Sequence, residues 1–484
     1  MNKLFISSAY VYPICPLNIN HARMFIIGDI IARFSRMKGK KVFFPIGLHF
    51  SGNTAEHVAK AFVDIFSKNN ISEKNKKILN LYKNIYKVPK TVLRSFTSPL
   101  NILNFYTQEV LWELKSLDVS GDFRYFYTTK DKDFSIFVNT IISLYQKNKV
   151  LIINKNRELA LDYDNVAWRK QVIDLLNRTE FVQPFHKNNI ISAMKAVRSD
   201  WGMLRKNGFG VIYQKRGIVD PMFDSELLSV FDLYIRFKKE YPDKLNNVKV
   251  KNIFINLFNV LKKQESPQNS LVDKIIQWLP CDIFICEEHL KNWVVKKLFA
   301  ESLLLDKDYQ TKKYFVLGMG LLNGKRMSAS RGNAILAKDL INYYGPLKAR
   351  LIIILQGGHP SKTYSYDQSV LAQIDKMLEA FNNYYIYLFS LANKEVNIKN
   401  INEENLPIKM IRDTIEQNIS KGYYRQAIIE LLSILPQKYK VKTTKTAQRL
   451  ISIYKKYLGI LLPGLLKTLP LIPDEQLLNY EKIY

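Results

Sequence analysis

The chain has 484 residues, 47% of them hydrophobic and 12% aromatic, with a formal net charge of +29. That length and apolar content support several domains and exclude a disordered or low-complexity protein. No apolar run approaches a membrane span, so no membrane partner is expected; Cys15, Cys281 and Cys286 form no disulfide framework, and the six histidines lack zinc spacing, so no protein-bound zinc is expected either.

Residues 3–12, inside MNKLFISSAYVYPIC, read as a first buried strand. The stretch superficially resembles a lipoprotein leader ending at Cys15, but Ser and Tyr break its apolar run. Next comes PLNINHARMFIIGDIIARF (Pro16–Phe34), which sets Asn18, Asn20 and His21 at the start of a helix over 21–37. Asn is a good N-cap, and a lone histidine there is often incidental. The alternative is that the positive helix end, with its N–H groups, faces a phosphate. These residues alone leave both readings open.

KVFFPIGLHF (Lys41–Phe50) reads as a second buried strand. It completes the opening βαβ unit of a doubly wound parallel sheet, where ligands sit at the carboxyl ends of strands. Helical periodicity follows at 54–68, 76–85, 105–117 and 131–147, and residues 150–199 are less periodic. GFGVIYQ (Gly208–Gln214) is strand-like, CDIFIC (Cys281–Cys286) is a strand before a helix beginning near Glu287, and KYFVLGMG (Lys313–Gly320) leads into a glycine-bounded loop. From Val370 onward the pattern is helical, broken by polar loops near 393–407 and 437–446.

The glycine-bounded loop GKRMSASRGNAI (Gly324–Ile335) places Ser328, Ala329 and Ser330 between Arg326 and Arg331. Such a loop can close over a polyphosphate, with hydroxyl and backbone donors on its oxygens and cations offsetting the charge of a leaving pyrophosphate. The +29 charge suits an RNA partner through counterion release. It also suits lysines spread over solvated faces, and they are dispersed, with denser patches at Lys438–Lys445 and Lys455–Lys456.

At this point the sequence resembles a family, the class I aminoacyl-tRNA synthetases, and within it the leucyl enzyme of archaeal and eukaryotic type. PLNINHAR is similar to the HIGH element, with Asn18, Ile19, Asn20 and His21 at its four positions, and RMSAS (Arg326–Ser330) to the KMSKS loop. AYVYPICPL, GDIIARFSRMKG, FPIGLHFSGNT, GDFRYFYTT, SDWGMLRKNGFG, VDPMFDS, QWLPCDI and YGPLKARLIIIL follow in the family's order.

The resemblance implies an α/β fold: a Rossmann-type parallel sheet with a short connective insertion and a C-terminal all-helical domain like those that bind anticodons. It divides the chain into a first catalytic half at 1–149, a reduced insertion at 150–199, a second half at 200–318, a KMSKS-like loop and stem at 319–369, and the helical domain at 370–484. Between the threonine pair at 128–129 and Asp200 there is no room for a large editing insertion.

It also implies a chemistry. ATP with Mg2+ would activate an amino acid that passes to tRNA, leucine first, then methionine, isoleucine and valine. Asn18, His21, Arg326, Ser328 and Ser330 would be the catalytic set, and Asn20, Glu287, Glu288, Lys325 and Met327 would join Asn18, His21 and Arg326 around ATP. Tyr10, Tyr12 and His49 would line the amino-acid pocket. The protein is expected to be a cytoplasmic monomer. Asn18 stands where the family has a histidine, Asn20 where it has a glycine under the adenine, and Ala329 where it has a second lysine. CEEH (Cys286–His289) replaces the glycine and acid that hold the ribose. Two other readings stay open: a paralogue that acylates a carrier protein or metabolite, and a non-catalytic RNA-binding relative.

Overall fold

KLFISS, CDIFIC and KYFVL are short apolar runs that bury both faces, the signature of interior parallel strands. In the computed structural model, which describes residues 3–67, 71–245, 248–264, 270–393 and 406–470, they lie side by side at the centre of one sheet. The full order is Lys41–Phe43, Lys3–Ser8, Cys281–Cys286, Lys313–Leu317 and Glu180–Phe181, parallel throughout. Alternation along the strands sorts the two faces. Ile6, Phe284, Cys286, Phe315 and Leu317 enter one apolar core; Phe5, Ile283, Ile285, Tyr314 and Val316 enter the other.

Several elements differ from their expected bounds. The first strand ends at Ser8, and the chain beyond it contributes only a parallel bridge between Val11 and Leu48. The second run splits into Lys41–Phe43 and Gly47–Leu48 around Pro45, which has no N–H to give to a ladder. The helix after the Asn-rich turn begins at Ile19, not at residue 21. GFGVIYQ supplies only Ile212–Tyr213, in a small antiparallel sheet with Leu204–Arg205 and Gly217–Val219. The chain past Glu287 forms a 3-10 turn and a wide π turn before the α-helix Val295–Leu304. Most of the polar loop expected near 393–407 lies outside the described residues.

The interval 150–199 is not a separate insertion along its whole length. Phe181 pairs with Tyr314 as the sheet's edge strand, and the helix Val166–Arg178 packs Trp168, Val172, Leu175 and Leu176 into the second core. The Trp168 indole N–H donates to Phe299 O at 2.9 Å. Apolar residues at helical spacing bury against the sheet whatever the less periodic sequence around them.

The C-terminal helices Val370–Ala392, Ile408–Ser420 and Thr444–Leu461 share the first core with the helix Ile19–Met37. Asp29, fully buried on that helix, joins these layers. Its carboxylate accepts from Arg33 Nε at 2.9 Å, Arg350 Nη2 at 2.7 Å and the Ser120 amide at 2.7 Å. The arginines reach further, Arg350 to Leu461 O and Leu117 O, and Arg33 to Gly459 O and Asp118 O. Removing one member of such a network strands the others without a counter-charge. Asp29→Ala is therefore expected to lose about 3–5 kcal/mol of stability. Urea unfolding of the two proteins measures this, and a loss below about 1 kcal/mol would show that the network is not under strain of burial.

Candidate active site

Asn18 adopts extended backbone and caps the first helix, its Oδ1 accepting from Asn20 N at 2.9 Å and His21 N at 3.0 Å. The Ile19 amide donates to Ile335 O at 2.9 Å, and the Ala337 amide to Leu17 O at 2.8 Å. The helix start is thus sewn to the segment that follows the RMSAS loop. The N–H groups expected to face a phosphate are already spent on Asn18 and Ile335, because a buried helix end satisfies its donors locally. Glu113, absent from the sequence reading, pins both sides of this seam. Its oxygens accept from the Leu17 amide at 3.0 Å and the Lys338 amide at 3.1 Å, and burial raises its pKa to about 8.

At the carboxyl end of the central strand Cys281–Cys286, Glu288 meets both motifs. Its Oε1 lies 3.8 Å from His21 Nε2, and its Oε2 accepts a close hydrogen bond from Arg326 Nη2. The His21 contact leads the effects that pull its pKa down to about 2. Two stretches far apart in sequence therefore converge on one carboxylate. Lys325 is exposed beside Arg326 on a hairpin strand, and Glu287 is half-buried in the adjoining turn. Asn333 closes the loop, accepting from the Ser328 amide at 3.0 Å and donating to Arg326 O at 3.1 Å. It stands in the RGN that follows RMSAS, so the sequence carried a signal for it.

Asn20 turns inward. Its Oδ1 accepts from the Gly320 amide at 3.1 Å and the Tyr364 hydroxyl at 3.0 Å. A Cβ at Gly320 would sit 2.4 Å from that oxygen, so only glycine allows this approach. Met327, expected against ATP, is instead a core residue at 4% exposure, because the loop's hairpin turns it toward the first apolar cluster. The Ser330 side chain lies outside the described residues.

Tyr10, Tyr12 and His49 do stand together on two adjacent segments, with the His49 amide donating to Val11 O at 3.0 Å. Each polar tip has an internal partner. The Tyr10 hydroxyl donates to Asp232, Tyr12 Oη accepts from the Ala55 amide at 3.2 Å, and His49 Nε2 lies 2.7 Å from Asp224 Oδ1. Behind them lie buried titratable side chains. Burial raises Asp232 to about 7 and Glu226 to about 8 and lowers Lys296 to about 8. The Lys296 ammonium rests 3.3 Å from the Trp201 ring centroid and 4.0 Å from that of Phe223. Among the described residues, no group of three or more His, Cys, Asp or Glu side chains is arranged to hold a metal ion.

A parallel sheet, a capped helix start and a basic loop thus meet at the strand ends. The family model described as tRNA synthetases class I (M) matches residues 4–89. It is similar to leucine–tRNA ligase 2 of Sulfurisphaera tokodaii, 32% identical over 167 residues, which are 34% of this chain and 16% of that relative. It is also similar to leucine–tRNA ligase of Methanopyrus kandleri, 32% identical over 136 residues, 28% of this chain and 14% of that relative. The matches thus span about one-sixth of these relatives. Its fold resembles Mycobacterium tuberculosis methionyl-tRNA synthetase in complex with methionyl-adenylate, with TM-score 0.67 and 13% identity over 100% of this chain and 97% of that one.

The buried carboxyls set a pH dependence. Glu226 keeps a proton in the folded protein up to about pH 8, whereas its ordinary value is 4.5. Between those values the unfolded chain binds fewer protons, so stability falls as pH rises. Glu226→Gln removes this contribution and is expected to lose less melting temperature than the parent between pH 5 and pH 7.5. Parallel slopes in the two thermal melts would show that Glu226 is ionised when folded.

Proposed function

We propose that this chain activates an aliphatic amino acid, leucine first, with ATP and Mg2+ to the aminoacyl adenylate, and transfers the acyl group to tRNA in the cytoplasm. The observation that supports this reading is the meeting of His21 and Arg326 at Glu288, on the carboxyl end of the central strand. The chemistry needs no side-chain nucleophile. The substrate carboxylate attacks the α-phosphorus, pyrophosphate leaves, and the protein contributes position and charge. His21 and Arg326 hold phosphate oxygens, the Ser328 hydroxyl adds a donor, and Mg2+ arrives with the nucleotide. Tyr10, Tyr12 and His49 border the amino-acid side, and the basic helical region offers its surface to tRNA. Without an editing step, a single methylene is worth only about 1–3 kcal/mol of discrimination, so near-isosteres are activated too.

A second reading, a non-catalytic RNA-binding relative, is favoured by the commitment of the Asn18 oxygen to the helix cap. ATP–pyrophosphate exchange across the twenty amino acids separates the two. Exchange is expected with leucine and weaker exchange with its near-isosteres. Arg326→Ala should cut the rate about a hundredfold, the ~3 kcal/mol of one transition-state donor, with little change in amino-acid binding. No exchange with any amino acid would make the RNA-binding reading the standing one.

A further inference from the structure

His21 and Arg326 come to the crevice from segments far apart in the chain, yet both are engaged by a single side chain. One oxygen of Glu288 faces the imidazole and the other accepts from the guanidinium. The carboxylate is well placed to stay there. It projects from the 3-10 turn Glu287–His289, in which the Cys286 amide donates to His289 Nδ1 at 3.1 Å. Arg326 is anchored in turn, its carbonyl held by Asn333 and its strand paired with Gly320–Leu322.

Two oxygens on one centre, each facing a different donor, is also the pattern that two non-bridging oxygens of a phosphate present. We propose that Glu288 is an internal competitor for phosphate, so that a ligand enters the crevice only by displacing its carboxylate from His21 and Arg326. The crevice then selects for charge density. A monophosphate offers little more than the carboxylate it replaces, whereas a tripolyphosphate or a nucleoside triphosphate supplies several oxygens and a higher charge to the same two donors. Until such a ligand arrives, the Glu288–Arg326 contact also holds the RMSAS loop against the end of the central strand. This inference rests on the reading of the crevice as a nucleotide site and adds what that site discriminates.

The test is titration calorimetry of the full chain with ATP, inorganic tripolyphosphate and AMP at fixed Mg2+ and ionic strength, for the parent, E288Q and E288D. Freeing these two partly exposed contacts is expected to tighten ATP and tripolyphosphate about five- to tenfold in E288Q. E288D, which keeps the charge, should stay near the parent, and AMP should change little in any of them. Amide hydrogen exchange over 320–333 should be faster in ligand-free E288Q and slow again when tripolyphosphate is added. If the parent binds ATP and E288Q binds it no better, the competitor is overturned while the nucleotide site stands. If AMP gains as much as tripolyphosphate, selection by charge density is overturned. If neither protein binds any of the three, the nucleotide reading falls and the inference with it.

Discussion

The Asp29 carboxylate, out of contact with water, is the constraint on which the arrangement of the layers rests. A buried charge is tolerable only when its partners surround it, and here the partners are two arginines and a backbone amide from separate parts of the chain. Arg350 belongs to the helix Ala337–Leu355, which follows the RMSAS loop directly, and Asp29 to the helix that carries Asn18, Asn20 and His21. Their pairing holds the two motif-bearing segments in one relation and ties both to the last helices through Leu461 and Gly459. The crevice inherits its geometry from a contact deep in the helical layer.

Around that crevice, polar groups are used twice over. Asn18 caps the helix, Asn20 fastens the strand at Gly320, and Glu288 links the two motifs. Asn18, Asn20 and Glu288, three of the departures from the pattern the resemblance implies, thus each have an internal partner. A charge-based site with few free donors is one in which the ligand must replace contacts as well as make them. On the proposed nucleotide reading, affinity then depends on how many oxygens the ligand presents and less on any single side chain.

The other side of the sheet carries a layer of buried titratable groups. Lys297 pairs with Glu301 at 2.7 Å while both are almost wholly buried, and Asp232 gathers the hydroxyls of Tyr10, Tyr127 and Ser7. Lys296 has aromatic faces in place of a carboxylate, and Glu226 takes a hydroxyl from Tyr145. These groups sit beneath the segment that presents Asp224 to His49. Their protonation thus bears on both the stability of the second core and the surroundings of His49.

From sequence alone one reads the central strands, the capped helix and the two motifs, because each is specified locally. CDIFIC can bury itself only as an interior strand, Asn before an apolar helical stripe caps it, and Gly-Lys-Arg followed by small hydroxyl residues makes a basic loop. The family resemblance follows from those same local runs. Tertiary structure alone decided which polar atoms remain available. Met327 turned into the core, the histidine and tyrosines of the expected pocket took Asp224, Asp232 and the Ala55 amide, and residues 180–181, inside the expected insertion, became the sheet's edge strand. The reason is physical: burial charges every unpaired donor and acceptor a desolvation cost, and the partner that relieves it is chosen by distance in space, which local sequence does not encode.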